Sequence, residues 1–262
     1  MKKTTKLTVL VSLAVIATAV LAVPRKAAQL FAPSATDAAP SVDQILDKYV
    51  EAIGGKAAIE KVTSRVSIGS AEIVGMDAKG TIEIYEKAPN KLTRIVKIPG
   101  AFAWASGFNG TLAWAFNMSS GKLEEKKGKE LAVAKTAADF YQVLKLKERY
   151  SKISVKGVEK IQYRNGPRET YVIEATAPTG DPEKLYFDTE TGLLIRHDTM
   201  EESEEGKVPI REFLLDYKEV DGVKIPFTSR QAQGTTVLLF KLTDVKQNLG
   251  IDEARFNKPA IK

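Results

Sequence analysis

From residue 64 onward, apolar and polar positions alternate in short runs separated by turn dipeptides, as strands with one dry face require. Thr81-Ile82-Glu83-Ile84-Tyr85-Glu86 is such a run, broken by Ala88-Pro89-Asn90 and resumed at Leu92. Asn109-Gly110, Asn165-Gly166, Thr191-Gly192 and Asp221-Gly222 fall between runs. Asn-Gly and Asp-Gly tolerate the positive φ of tight hairpin turns. The pattern predicts strands at 64–75, 79–87, 91–98, 111–117, 122–127, 152–159, 168–176, 183–188, 192–199, 207–218, 222–231 and 235–245. Connections this short imply an antiparallel meander, because parallel strands need long crossovers.

Two stretches change period. Ser41-Val42-Asp43-Gln44 is a capping-box pattern, and Val42, Ile45, Leu46, Tyr49, Val50 and Ile53 follow at helical spacing. Gly54-Gly55 ends this helix, and residues 56–62 make a shorter one. In mid-chain, Ala137, Phe140, Tyr141 and Leu144 predict a helix over 136–146 whose apolar face covers the concave side of the sheet. The expected architecture is mainly β with α: a curved antiparallel sheet forming an unclosed, half-open β-barrel, covered by helices.

The N-terminus has a different character. Lys2, Lys3 and Lys6 precede an apolar run from Leu7 to Val23, and Val20-Leu21-Ala22 offers small residues for a signal peptidase. Residues 1–22 are therefore expected to be a signal peptide, 23–40 a flexible spacer, and 41–262 one domain, with a helical preface at 41–62 and a sheet over 64–259. Export would place the protein in the bacterial periplasm; an uncleaved leader would tether it to the inner membrane. Without the leader the formal charge falls from +6 to +3, too small to argue for a nucleic-acid partner. The chain has no cysteine, so a core rather than disulfides must hold it, and it has no acylation site of its own.

Candidate chemistry is sparse. The one histidine, His197, has Asp198 beside it, but adjacent strand residues point to opposite faces, so a surface strand histidine is expected. No serine sits in a G-x-S-x-G elbow, and no glycine-rich phosphate loop is present. No catalytic residue, metal ligand, cofactor or nucleotide is assigned. The acidic stretch 201–206 lacks EF-hand spacing and reads as a solvated hairpin tip. What remains is aromatic density. Phe102, Trp104, Phe108, Trp114, Phe116, Phe140 and Tyr141 fall in the strands and helix expected to meet over the concave face. Core packing explains any one of them; as a group they suit an apolar wall shared by plugs and ligands. Ile82, Ile84, Leu92, Trp104, Phe108, Leu112, Trp114, Phe116, Phe140, Tyr141 and Leu144 are the expected lining.

Several of these segments converge on a family. The run Gly80-x-Ile82-x-Ile84-x-x-Lys87-x-Pro89-Asn90-Lys91-Leu92-x-Arg94, followed by Gly107-Phe108-Asn109-Gly110-x-Leu112-x-Trp114-x-Phe116-Asn117, resembles the lipoprotein-sorting carriers of the bacterial periplasm, the LolA/LolB type. Leu185-Tyr186-Phe187-Asp188-x-x-Thr191-Gly192-Leu193-Leu194 and Phe256-Asn257-x-Pro259 are similar to the same group. The resemblance covers roughly 64–259 and consists of turn and strand signatures. It implies a helix-capped, unclosed barrel with a cavity that receives acyl chains, and an arginine that holds the lid. Arg94 is the nearest candidate for that contact and Arg65 a second.

The resulting expectation is a periplasmic, non-catalytic carrier whose partner is a lipid or an acylated protein. The alternative is an envelope sensor or accessory module of the same fold that binds an envelope protein and no lipid. An enzyme on this scaffold is the weakest of the three readings.

Overall fold

The computed structural model describes residues 39–164, 166–203 and 206–260. The leader, nearly all of the spacer, Asn165 of one predicted turn, and Glu204 and Glu205 of the acidic loop lie outside the described residues.

Helix α1 (Val42–Ala52) starts as its sequence predicts: Gln44 N donates to Ser41 Oγ at 3.2 Å, and Ser41 N donates to Gln44 Oε1 at 2.8 Å. It is followed by α2 (Lys56–Glu60). Gly54 takes φ +125°, and a Cβ there would lie 2.1 Å from the Gly222 carbonyl oxygen, so only glycine lets the helical pair dock on that hairpin.

Among the described residues, thirteen strands then form one antiparallel sheet. The first meander is β1 (Ser64–Ile73), β2 (Ala78–Lys87), β3 (Lys91–Ile98), β4 (Phe102–Phe108), β5 (Ala113–Asn117) and β6 (Lys122–Lys126). Helix α3 (Gly128–Ala137) and a 3₁₀ segment (Gln142–Arg149) connect it to the second. That meander is β7 (Lys152–Tyr163), β8 (Gly166–Thr176), β9 (Pro182–Asp188), β10 (Leu194–Ser203), β11 (Gly206–Val220), β12 (Val223–Gln233) and β13 (Thr236–Gln247). The order is β6-β5-β4-β3-β2-β1-β13-β12-β11-β10-β9-β8-β7, so β1 and β13 join the meanders at the centre while β6 and β7 are the two edges. The sheet is a half-open barrel, not closed on itself.

The turn chemistry explains the register. Val220 pairs with Val223 across Asp221 (φ +47°) and Gly222 (φ +81°), the two positive φ values of a type I′ hairpin. Asn109 Oδ1 accepts from the amides of Thr111 and Leu112, fixing the β4–β5 turn.

Two expectations are corrected. The sequence pattern marked no strand over 102–108, yet β4 lies there, paired with β3 and β5. Its Ala-Trp-Ala-Ser-Gly run has weak strand propensity, and Trp114 supplies the missing bulk: a Cβ at Gly107 would lie 2.6 Å from its indole. The helix predicted over 136–146 is also divided. The α-helix ends at Ala137, Phe140 N donates to the Pro89 carbonyl at 3.0 Å, and a 3₁₀ segment begins at Gln142. Phe140, Tyr141 and Leu144 still pack inward, beside Val62, Ile225 and Phe227.

The inner face of β8–β10 is solid. Ile173, Leu185 and Phe187 are fully buried there beneath Ile45 and Leu46 of α1 and Leu146 of the 3₁₀ segment. Burial of each such side chain contributes about 1.5–3 kcal/mol.

Candidate functional site: the hollow between the two meanders

Strand alternation assigns the inner face of the other half. In the β2–β3–β4 register, Ile84 opposes Arg94 and Arg94 opposes Ser106, while Ile82 opposes Val96 and Val96 opposes Trp104. All of these share one face, since directly paired residues project to the same side. In the curved sheet the strands approach one another closely at two glycines. A Cβ at Gly80 would sit 1.7 Å from the Lys97 carbonyl oxygen, and one at Gly69 would sit 2.1 Å from that of Lys241. Only residues without a side chain admit so close an approach of the neighbouring backbone.

The bend encloses a hollow of about 770 Å³, within the size range of small-molecule sites. Ile82, Ile84, Val96, Trp104, Phe240 and Leu242 line it, together with Arg94. Among the described residues the lining comes from strands and their turns and from no helix. A second, smaller hollow of about 240 Å³ lies against the helical elements, lined by Tyr49, Ile53, Phe140 and Tyr150 among others.

Arg65, Glu86, Ile225 and Pro226 line both spaces. Arg65 Nη1 lies 3.4 Å from Glu86 Oε2, its guanidinium carbon stands 5.6 Å from the centre of the Phe140 ring, and its Nε is buried without a partner. Its cross-strand neighbour Gln247 is buried, and neither polar atom of its side-chain amide has a hydrogen bond. Polar atoms of Arg65 and Gln247 thus find no protein partner among the described residues beside the partition.

The sequence-derived lining separates into five groups. Ile82, Ile84 and Trp104 line the larger hollow. Leu92 and Phe108 pack with Ala138 and Leu131 next to α3. Phe140, Tyr141 and Leu144 lie in the cluster beneath the helices, where Tyr141 Oη donates to the Val62 carbonyl at 3.0 Å. Trp114 and Phe116 are on the outer face, because Trp114 pairs with Gly107 and Phe116 with Ala105. There Trp114 Nε1 donates to the Phe256 carbonyl at 3.0 Å, under the C-terminal segment. Leu112 is in the β4–β5 turn. Arg94 is exposed and makes no ion pair among the described residues, whereas Arg65 is the arginine in contact with the helical cover.

His197 is not the surface residue the sequence suggested. Its Nε2 lies 2.7 Å from Glu183 Oε2, which also accepts from Tyr150 Oη at 2.9 Å, with Arg149 at 3.8 Å from the other oxygen. Burial pushes the Glu183 carboxyl up, but His197, Arg149 and Tyr150 outweigh it and hold the group below its ordinary value. Burial pushes the Tyr49 hydroxyl up to about 12 and raises that of Tyr150 as well. The cluster ties β9 and β10 to the 3₁₀ segment. Sequence reasoning missed it because His197 and Glu183 lie on separate strands, and alternation alone does not reveal the register between them.

No family model matches the sequence, and no curated protein matches it. Solved structures do match. A DUF1329 family protein from Desulfovibrio piger is similar over 82% of this chain and 97% of its own, at 12% identity and a TM-score of 0.54. A LolA superfamily protein from Nitrosomonas europaea is similar over 84% of this chain and 99% of its own, at 14% identity and a TM-score of 0.53. Both likenesses show the fold, a curved antiparallel sheet covered by helices. A putative outer membrane lipoprotein-sorting domain from Vibrio parahaemolyticus also matches, over 81% of this chain and 97% of its own, at 11% identity and a TM-score of 0.47. In this frame the hollow lies between β1–β4 and β10–β13, and the helical plug packs over β8–β10.

Proposed function

We propose that this protein is a periplasmic, non-catalytic carrier that binds a lipid or the acyl chains of a lipoprotein in the larger hollow. The observation that carries this reading is a strand-lined space of about 770 Å³ with an aliphatic and aromatic wall, beside a region of the same sheet that is packed solid. The LolA-type fold and the leader-like N-terminus support it. In this proposal residues 1–22 are removed on export, 23–40 serve as a spacer, and 41–262 act as one binding domain.

Transfer of a hydrocarbon chain into the space contributes about 0.8 kcal/mol per buried CH₂. A run of ten methylenes would thus contribute roughly 8 kcal/mol before the costs of association. Ile82, Ile84 and Trp104 would contact the chain. Release would require a partner with a more favourable apolar site, since the sequence carries no phosphate-binding loop from which to draw energy.

The test is extraction of the protein purified from the periplasm with organic solvent, followed by mass spectrometry, together with displacement of a fluorescent fatty acid. Co-purifying acyl species and saturable displacement are the expected results. A protein free of lipid that displaces no probe would overturn the reading.

A further inference from the structure

The walls of the larger hollow differ in chemistry. The β2–β4 side presents Ile82, Ile84, Val96 and Trp104 with the charged Glu86 and Arg94 among them, whereas the facing side sets Glu212 of β11 and Ser229, Gln231 and Gln233 of β12 beside Leu214 and Ile225. The polar side is organised around one carboxylate. Ser229 Oγ donates to Glu212 Oε1 at 2.5 Å, and Gln231 Nε2 donates to the same oxygen at 3.1 Å. Gln231 is also the direct cross-strand partner of Glu212. Both donors converge on Oε1, so the carboxylate is held in one orientation while Oε2 has no partner among the described residues.

Among the described residues no cation pairs with this group, although Arg94 lines the same hollow from β3. Its neighbour on β10, His197, is engaged by Glu183, and Arg211 on the next position of β11 points to the other face, toward Asp198. Arg65 is paired with Glu86. A half-buried carboxylate with one oxygen left open, fixed in advance at the wall of a largely apolar space, is a ready acceptor for a cationic donor.

We propose that Glu212, oriented by Ser229 and Gln231, is the head-group site of the carrier, and that its preferred ligand is an amphiphile bearing a primary ammonium. The tail lies along Ile82, Ile84 and Trp104, and the ammonium donates to the free Glu212 oxygen. This assignment rests on the carrier reading above and adds to it which head the site selects.

Three amphiphiles with one alkyl chain length separate the possibilities in a displacement assay below their micellar concentrations: an alkylamine, a neutral alkyl glycoside and a fatty acid. The wild-type protein is expected to bind the amine about tenfold or more tightly than the fatty acid. The preference should shrink as salt is raised. E212Q should abolish it while leaving the glycoside unchanged, which also shows that the variant is folded. S229A, which frees the carboxylate, should reduce the preference without removing it. Equal affinity for all three heads, a preference for the fatty acid, or an amine preference that survives in E212Q would overturn the head-group assignment and leave the carrier reading intact. Failure of all three to bind would overturn both.

Discussion

The inner face of this sheet solves the same packing problem in two ways. Over β8–β10 it is filled: Phe187 and Ile173 are inaccessible, and Tyr49 of α1 meets Phe187 edge-on with ring centres 5.4 Å apart. Over β2–β4 the apolar residues pack on one another, with Ile82 and Val96 buried among Phe240 and Leu242, and the cluster borders the hollow instead of a helix. Apolar residues alternate along the strands of both regions, so the difference lies in what crosses above them. Helix α1 delivers Ile45, Leu46 and Tyr49 at helical spacing to one half. Helix α3 buries none of its own residues and meets the other half only at its edge, near Phe108 and Ala113. A hollow in this fold therefore results from withholding a plug from an ordinary apolar sheet face.

Truncation should break the symmetry most sharply. Phe187→Ala is expected to destabilise the protein by about 3–5 kcal/mol in denaturant unfolding, because it opens a cavity in packed surroundings. Ile84→Ala, beside space that already exists, should cost roughly 1–2 kcal/mol. Equal losses would mean that both halves are equally filled in solution.

Enlargement sharpens the contrast from the opposite side. Ala175→Trp, beneath α1, should cost about 1–3 kcal/mol or more through overpacking. Ile84→Trp should change stability by less than about 1 kcal/mol. It should nevertheless reduce acyl-probe affinity by about tenfold, as measured by fluorescence titration.

Acid should weaken the plugged half through Glu183. The folded-state pKa of Glu183 is depressed, so its ionised form favours the folded protein. That contribution is complete above the ordinary value of 4.5 and is lost as pH falls through the lower folded value. Urea midpoints measured downward from neutral pH should decline below about pH 4.5 in the wild type, and less steeply in Glu183→Gln. The smallest effect is expected at the α1 cap: Ser41→Ala removes the bond to Gln44 N and should lower stability by about 1 kcal/mol, with the acyl-probe affinity unchanged.

Much of this architecture is legible in the sequence because it is local. Alternating runs mark the strands, Asp221-Gly222 dictates its hairpin, and the capping box opens α1 where Ser41 places it. The strand β4 escaped because its small residues depend on Trp114 from the next strand. Helical spacing across 136–146 misled because Pro89, distant in sequence, captures the Phe140 amide. Within the hollow, alternation shows that Trp114 and Phe116 share a face but not which face it is. The deciding fact is the C-terminal segment, whose Phe256 carbonyl takes the indole proton on the outside. Glu212 gave no signal as one carboxylate among many, since its character comes from two residues on the neighbouring strand.

The seam between β1 and β13 has a consequence for biogenesis. Thr63 N bonds to Asn248, 185 positions further along the chain, and the strands that follow and precede these residues pair with each other. A polypeptide threading N-terminus first through an export pore would present the free rim of its opening strand long before the closing strand emerges. Contacts so remote in sequence form slowly, and a bare strand rim invites pairing with other chains. The interval between emergence of the two ends is thus the period in which this molecule most needs shelter from its neighbours.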